Sequence, residues 1–313
     1  MAAIAMTTDI QDEGSGRVRV VSLGSGSSGN ALLIQTGRTA VLVDAGLGPR
    51  ILASRLRAVG VTPRMLSAIL LTHEHADHAR GAAQLAAQYG IPLVSDPRTL
   101  AAVFEQAAAY TGKTYTCERV ELPIGRETKL HDIQVRSFAV SHDAVAPCGY
   151  LLATSAWSVC FATDTGEAVP AMVEAMRTAH LLVIEANHDV DRLVKGPYPW
   201  PLKKRILSPT GHLSNEQTCR ALEGVLDDGA RWVWLAHLSR TNNTPDLARA
   251  HVRDFLRERG LAHVRINVAP PDIGPVWDSA ALLGTHAQPA LFASQQQPAL
   301  ADAVPVTPHG ELA

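Results

Sequence analysis

This 313-residue sequence has few cysteines, little net charge and no long apolar run. Its four cysteines have unrelated spacings and no Cys-x-x-Cys pair, which argues against a disulfide framework or a cysteine-rich zinc site and indicates a reducing, cytoplasmic location. The 28 Lys and Arg residues nearly balance the 30 Asp and Glu residues, so coating of nucleic acid by net charge alone is excluded. No stretch of about 18 apolar residues occurs, so we expect no membrane-spanning helix and no membrane partner.

The composition is that of a folded chain, with 46% hydrophobic and 19% charged residues. Residues 1–16 are polar, and we predict a flexible N-terminal tail there. Residues 279–313 are rich in Ala, Gln and Pro with almost no charge, which predicts a disordered C-terminal tail. Residues 17–278 are then predicted to form a single domain.

The order of apolar patterns predicts the fold class. Strand-like runs come first, helical patterns then alternate with strands, and this order occurs twice. It predicts an α/β fold of two sheets packed face to face with helices outside. Within it we predict one long strand over 129–140 and an irregular, proline-containing segment over 187–209.

Histidines give the clearest functional signal, because several of the 13 lie close together. The pattern H-x-H-x-D-H follows the apolar segment 67–71 and consists of His73, His75, Asp77 and His78. In an extended segment the first two histidines point the same way, whereas the last two ligands lie where a helix starts and face a second point. Zinc, manganese and iron all accept imidazole and carboxylate ligands. The spacing therefore predicts two adjacent ions, against the alternative of a solvated loop.

Three more polar residues directly follow apolar strands. They are His142, Asp164 and His237. Each alone is typical of a loop residue. Together with the H-x-H-x-D-H cluster, they supply the ligands that two ions would still lack.

This set of residues resembles the metallo-β-lactamase-fold hydrolase superfamily over about residues 18–268. The resemblance implies a four-layer αβ/βα sandwich of two mixed β-sheets, with the metals between the sheet edges. It also implies seven ligands for two divalent ions. One ion would be held by His73, His75 and His142, the other by Asp77, His78 and His237, with Asp164 bridging the two.

Asp44 matches an aspartate that orients a ligand in that superfamily. A turn aspartate before Gly46 is an equal alternative, since Asp is common before glycine in turns. The interval between Asp164 and His237 is too short for the large extra domain of the RNA-processing β-CASP enzymes, which disfavours a ribonuclease J-like protein.

Four further segments resemble the WalJ/YycJ-like branch of the superfamily, which is associated with DNA exonuclease activity. They are residues 22–30, 187–189, 196–205 and 211–215. The first is a Gly/Ser loop of the kind that brings N–H groups and hydroxyls to a phosphate, although a flexible hairpin turn is as good a reading. The third combines a basic run with Tyr198 and Trp200, typical of a strand-binding groove or of a solvated face.

Ten residues from these segments and from the loop after His237 are predicted to bind substrate. They are Ser25, Ser27, Ser28, Asn30, His188, Lys203, Lys204, Arg205, Arg240 and Asn243. His188 has the alternative of capping a turn with Asp189.

His212 and Asp77 are the predicted catalytic residues. His212 precedes a helix for which Ser214 is a plausible N-cap. Our hypothesis is that His212 donates a hydrogen bond or a proton to the phosphate in the transition state. The alternative is a histidine that only fixes its loop.

The sequence as a whole predicts a dinuclear metal-dependent phosphodiesterase that acts on nucleic acid, with DNA favoured over RNA and a 5′→3′ exonuclease as the leading form. The cofactors would be two divalent ions, zinc or manganese, with iron also compatible. One alternative is a small-molecule hydrolase of the same fold that cleaves a lactone, thioester or cyclic phosphodiester. A catalytically idle DNA-binding scaffold is the other.

Overall fold

A computed structural model of the chain describes residues 16–227, 229 and 231–282. Its strands are, in chain order, β1 (Arg19–Gly24), β2 (Ala31–Gln35), β3 (Ala40–Val43), β4 (Ala68–Leu70), β5 (Leu93–Ser95), β6 (Arg119–Glu121), β7 (Glu127–Leu130), β8 (Ile133–Ala139), β9 (Cys148–Ala153), β10 (Ser158–Ala162), β11 (Leu181–Glu185), β12 (Trp232–Ala236), β13 (Arg265–Val268) and β14 (Val276–Asp278). The predicted tails lie outside the described residues, except for Gly16 and the 3₁₀ turn Ser279–Leu282.

The described part of the chain also contains nine α-helices. They are α1 (Pro49–Ala58), α2 (Ala76–Ala79), α3 (Ala82–Tyr89), α4 (Pro97–Thr111), α5 (Pro170–Arg177), α6 (Val190–Lys195), α7 (Trp200–Ile206), α8 (Asn215–Glu223) and α9 (Pro245–Glu258). Prolines occupy the first turn of five of these helices, α1, α4, α5, α7 and α9, where no helical N–H partner is lost. In the part of the chain that the structure describes, no helix is both long enough and apolar enough to cross a bilayer.

The strands form two seven-stranded sheets. One has the order β14-β1-β2-β3-β4-β5-β6 and the other the order β13-β12-β11-β10-β9-β8-β7. In each sheet three links are antiparallel and three are parallel. The predicted twofold occurrence of one pattern is thus visible in the two sheets.

Alternation along each strand builds three apolar layers. Val20, Val41 and Leu70 point between the sheets, where they join Tyr150 and Trp234 of the second sheet. Intervening residues such as Val21, Leu33 and Leu42 point outward and pack under α1, α3 and α4. An equivalent outer cluster packs the second sheet against α5, α8 and α9. The predicted four-layer α/β sandwich is therefore confirmed.

Two local predictions are wrong. The predicted strand over 129–140 is a hairpin, because the chain turns at His131, which has a φ of 53°, and Leu130 pairs with Ile133. The segment 187–209 contains α6 and α7 rather than irregular chain. Asp189 caps α6 by accepting from the Arg192 N–H at 2.9 Å, and Pro201 sits in the first turn of α7, where proline is tolerated.

The Gly/Ser loop after β1 packs directly on the histidine motif. The Asn30 N–H donates to the carbonyl of Asp77 at 2.7 Å, and the Gly46 N–H donates to the carbonyl of Asn30 at 2.9 Å. A Cβ on Gly46 would overlap the Asp77 carbonyl. The motif can occupy its place only because residue 46 has no side chain.

We predict that Gly46→Ala displaces the motif and lowers the free energy of unfolding by about 1–3 kcal/mol, the usual cost of overpacking a tight site. Chemical denaturation and metal content per chain measure the two effects. Gly48→Ala is the matched control, since nothing lies within 4 Å of its added Cβ. Equal stability of the two variants would contradict the steric argument.

Candidate metal centre

The ends of several strands meet at one end of the sandwich. In the second sheet β10, β11 and β12 are parallel, and β8 runs the same way because both it and β10 are antiparallel to β9. Their C-terminal ends therefore lie together, and His142, Asp164, Glu185 and His237 are located there. In the first sheet β3 and β4 are parallel and end before Asp44 and His73.

The two sheets are joined just before the motif. The carbonyl of Leu71 accepts hydrogen bonds from the Tyr150 hydroxyl and the Ser95 hydroxyl, each at 2.6 Å. The Cys148 N–H of the second sheet donates to the carbonyl of Thr72 at 3.0 Å. These bonds fix the chain at the point where it presents His73.

One ligand group consists of His73, His75 and His142, with ring nitrogens that lie within 4.8 Å of one another. His142 donates from Nδ1 to the Gly211 carbonyl at 3.1 Å, which leaves Nε2 facing His75 Nδ1 at 3.3 Å. Burial lowers the pKa of His142 and, more strongly, that of His73, so both favour the neutral form that binds metals. Nε2 of His73 is buried and has no hydrogen-bond partner among the described residues.

The second group consists of Asp77, His78 and His237. His237 Nε2 lies 3.3 Å from Asp77 Oδ2. Asp164 stands between the two groups, since its Oδ2 is 3.0 Å from His78 Nε2 and its Oδ1 is 3.9 Å from His142 Nε2. All seven predicted metal ligands thus lie close together. The groups overlap, since His73, His78 and Asp164 also have ligand atoms within 4.8 Å of one another, so the division between two ions stays a prediction. An unpartnered buried imidazole nitrogen and a set of nitrogen and carboxylate donors fit divalent cations.

Asp44 orients a histidine of the second group. Its Oδ2 accepts from His78 Nδ1 at 2.7 Å, and its Oδ1 accepts from the Thr72 N–H at 2.9 Å. The other nitrogen of His78 is thereby directed at Asp164. This is the arrangement by which a carboxylate behind a ligating imidazole fixes its tautomer and orientation.

Backbone strain is concentrated at this centre. Among the described residues, the non-glycine residues with positive φ are His131, Asp44 (62°), Asp164 (53°) and His237 (53°). His131 lies in the β7–β8 turn, but the other three are at the centre. Such conformations are unfavourable for non-glycine residues and persist where the surrounding structure imposes them.

The buried acids and imidazoles shift one another's charge states. Burial alone would lower the pKa of His237, but the carboxylates of Asp164, Asp77 and Glu185 raise it to about 10. Burial alone would raise the pKa of Glu185, but the charge of His212 and hydrogen bonds from His212 and His237 lower it to about 2. The centre is a buried, anionic environment that requires positive charge.

Glu185 is a functional candidate that the sequence prediction missed. Its Oε1 lies 2.8 Å from Nδ1 of His212 and 2.9 Å from Nδ1 of His237, and the side chain is fully buried. A carboxylate can only accept here, so both imidazoles donate. The sequence did contain a signal for it: an acidic residue at the C-terminal end of an apolar strand. Glu185 ends β11 in this way, much as Asp164 follows β10. Asp164, Glu185, His212 and His237 form a further group of possible cation ligands.

The Gly/Ser loop supports the centre more than it offers free groups. The Ser25 hydroxyl accepts from the His237 N–H at 2.7 Å, and the Asn30 amide lies 2.9 Å from Nε2 of His78. Both residues are buried and hydrogen-bonded within the protein, which leaves them little to offer a substrate. Ser27 and Ser28 are exposed at the loop tip and stay predicted contacts.

Three other predicted substrate ligands are occupied or buried. Lys203 is buried, and its ammonium donates to the carbonyls of Val194 and Gly196 at 2.8 Å. Asn243 is buried and exchanges side-chain hydrogen bonds with Asn215. His188 is fully buried, which lowers its pKa to about 4. In this structure none of these three side chains is exposed to a phosphate from solvent.

The remaining predicted contacts are exposed. Arg205 makes a two-point ion pair with Asp143, the neighbour of His142, at 2.5 and 2.9 Å. Lys204 and Arg240 are exposed, and within the described ranges no ion pair of either is present. They are the charges that remain free to meet a phosphate backbone.

Comparison with known proteins gives the family. Residues 39–238 match the family described as Beta-lactamase superfamily domain, and this span includes every predicted metal ligand. The chain belongs to the β-lactamase superfamily. The predicted resemblance is confirmed.

Two curated relatives of this superfamily member are bacterial. It is 41% identical over 239 residues to the exodeoxyribonuclease WalJ of Streptococcus pneumoniae, across 76% of this chain and 88% of the relative. It is 37% identical over 239 residues to the exodeoxyribonuclease YycJ of Bacillus anthracis, across 76% and 89%. Among solved structures, the metallo-β-lactamase-fold protein YhfI from Bacillus subtilis matches with a TM-score of 0.63 at 20% identity, covering 84% of this chain and 99% of that one.

We predict that Asp44→Asn in this superfamily member weakens divalent metal binding about 10–100-fold, since the loss of a carboxylate behind a ligand has that order of effect. Competition with a chelator and metal content by mass spectrometry measure it. Asp191→Asn, which makes the same change on exposed α6, serves as the control. Undiminished affinity in Asp44→Asn would show that His78 needs no orienting partner.

Proposed function

We propose that the protein is a dinuclear, metal-dependent exodeoxyribonuclease that degrades DNA in the 5′→3′ direction. The observation that supports it most directly is the pair of ligand groups that share Asp164 at one end of the sandwich. The curated relatives support the class, a metal-dependent nuclease of this fold. Zinc or manganese suits the donor set best, and the free cysteines fit the predicted cytoplasmic location.

The protein's own residues position the substrate and move the proton. The two ligand groups would hold one divalent ion each, which would supply a water of lowered pKa and neutralise charge on the phosphate. Lys204 and Arg240 would neutralise flanking phosphates. Ser27 and Ser28 would contact the strand from the loop tip.

His212 is the proposed proton donor. Because its Nδ1 donates to Glu185, its Nε2 is the nitrogen free to deliver a proton to the leaving oxygen. Its ring centroid lies 5.2 Å from that of His142 and 5.4 Å from that of His237, so it borders the metal groups. Glu185 fixes the ring and stabilises the imidazolium.

We expect His212→Ala to lower the turnover of DNA about 10²–10⁴-fold, the contribution typical of a positioned acid, with the metal content intact. Single-turnover cleavage and metal analysis on the same samples measure the two quantities. His251→Ala on α9 is the control, since it removes an imidazole outside the ligand groups. Loss of metal together with activity would instead make His212 a ligand, and unchanged turnover would exclude it as the acid.

The function itself is tested with DNA and RNA strands labelled at either end. With zinc or manganese, we expect a 5′ label on DNA to be released at once as a short product, while a 3′ label passes through a ladder. Asp77→Ala, which lacks one ligand, should be inactive. Cleavage of a lactone or thioester without cleavage of any strand would favour the small-molecule alternative.

The free basic residues give an independent prediction. Lys204→Ala and Arg240→Ala should each reduce the slope of log Kd against log salt concentration for DNA by about one, the value for one lost phosphate contact. Fluorescence anisotropy at several salt concentrations measures it. Lys129→Ala on β7 controls for net charge. Slopes equal to that of the unmodified protein would remove these residues from the binding surface.

A further inference from the structure

A cavity of about 260 Å³ lies beside the candidate metal centre. The helices α2, α3 and α4 form its walls. Helix α2 is a single turn that belongs to both places, since Asp77 and His78 join the metal groups while Ala76 and Ala79 line the cavity.

The lining combines aromatic faces with amides. Tyr110 is 83% exposed, and Tyr115 stands half-buried at the same cavity. Gln84 and Gln106 add two side-chain amides, each of which can donate and accept. A mostly apolar cleft with a few polar groups is the usual form of a site for a flat heterocycle. Exposed tyrosine with its flat face is also the usual partner of an unpaired base.

Among the described residues that line the cavity, the one arginine is Arg80, directly after α2. Its backbone N–H donates to the Ala76 carbonyl at 3.1 Å, whereas its exposed side chain takes part in no ion pair or hydrogen bond with the described residues. Nearby arginines differ, because Arg98 pairs with Asp96 and Arg119 lies over the ring of Phe104 at 3.6 Å. The guanidinium of Arg80 is therefore available to an anion next to the cavity.

We propose that this cavity binds one unstacked nucleobase of a single-stranded DNA end, next to the phosphate that is cut. Tyr110 supplies the stacking face, and Arg80 contacts the neighbouring phosphate. The inference rests on the proposed nuclease function and adds the substrate form: a single strand or a frayed end. Because every base has a face to stack, the site tolerates any sequence.

The test compares intact oligodeoxynucleotides with strands in which one base at a time near the 5′ end is replaced by an abasic residue. Binding is measured by fluorescence anisotropy in excess chelator, and KM is measured with metal. Tyr110→Ala should weaken binding of the intact strand about tenfold, the order of one lost base–aromatic stack. One abasic position should remove the base that stacks on Tyr110. For that strand, the unmodified protein and Tyr110→Ala should bind with equal affinity. Tyr110→Phe, which keeps the ring, should bind the intact strand far better than Tyr110→Ala.

Gln88→Ala is the matched surface control, because it lies on α3 outside the lining and should leave binding unchanged. Equal affinity of Tyr110→Ala and the unmodified protein for the intact strand would overturn the proposal. A tenfold loss of affinity in Tyr110→Ala that persists at every abasic position would also overturn it, because the ring would then contact the strand without meeting a base. If the unmodified protein cleaves no DNA, the nuclease function fails, while the anisotropy measurement still decides the cavity.

Discussion

The compensation of buried charge is the constraint on which this end of the molecule depends. Asp44, Asp164 and Glu185 are almost completely buried, and an isolated buried carboxylate costs several kcal/mol. Each has an imidazole within 3.0 Å. Each buried carboxylate therefore needs a histidine in contact with it. This requirement leaves the strand ends of both sheets little freedom of position. The sandwich core supplies that rigidity.

The strained backbone at the metal centre also depends on the rigidity of the strands and the core. Asp44 and His237 adopt left-handed backbone conformations directly after strands, and Asp164 does so two residues after the end of β10. The unfavourable conformations are tolerated because extended strands and a packed core hold both flanks.

The sequence predicted the fold and the ligand set for different reasons. His73, His75, Asp77 and His78 form a pattern that is readable locally, because strand and helix periodicity decide where they point. Asp164 and His237 gained meaning only in combination with that cluster and from the resemblance, since a polar residue after a strand is ordinary. Glu185 was missed because it was taken as part of its strand. All of these residues meet through the tertiary fold, which periodicity does not describe.

The substrate-binding prediction was less successful for a clear physical reason. The basic run 203–205 shows where positive charge occurs in the sequence. It does not show which of these side chains point into the protein and which point into water. The helix α7 turns Lys203 inward onto the carbonyls of Val194 and Gly196, whereas Lys204 stays in water. Similarly, Asn30 and Ser25 are polar loop residues whose hydrogen-bonding groups are already used by the backbone and by histidines of the centre. Hydrogen-bond partners, not residue types, decide what remains for a ligand.

The division of the ligands between the sheets has a thermodynamic consequence. The first sheet contributes the H-x-H-x-D-H cluster, and the second contributes His142, Asp164 and His237. Neither half alone contains a complete ligand set. Any cation that binds both halves favours the closed sandwich by an amount that grows with the logarithm of its free concentration over its dissociation constant. The bound ions would then link the two sheets, so that the thermal stability of the protein would rise with its metal content.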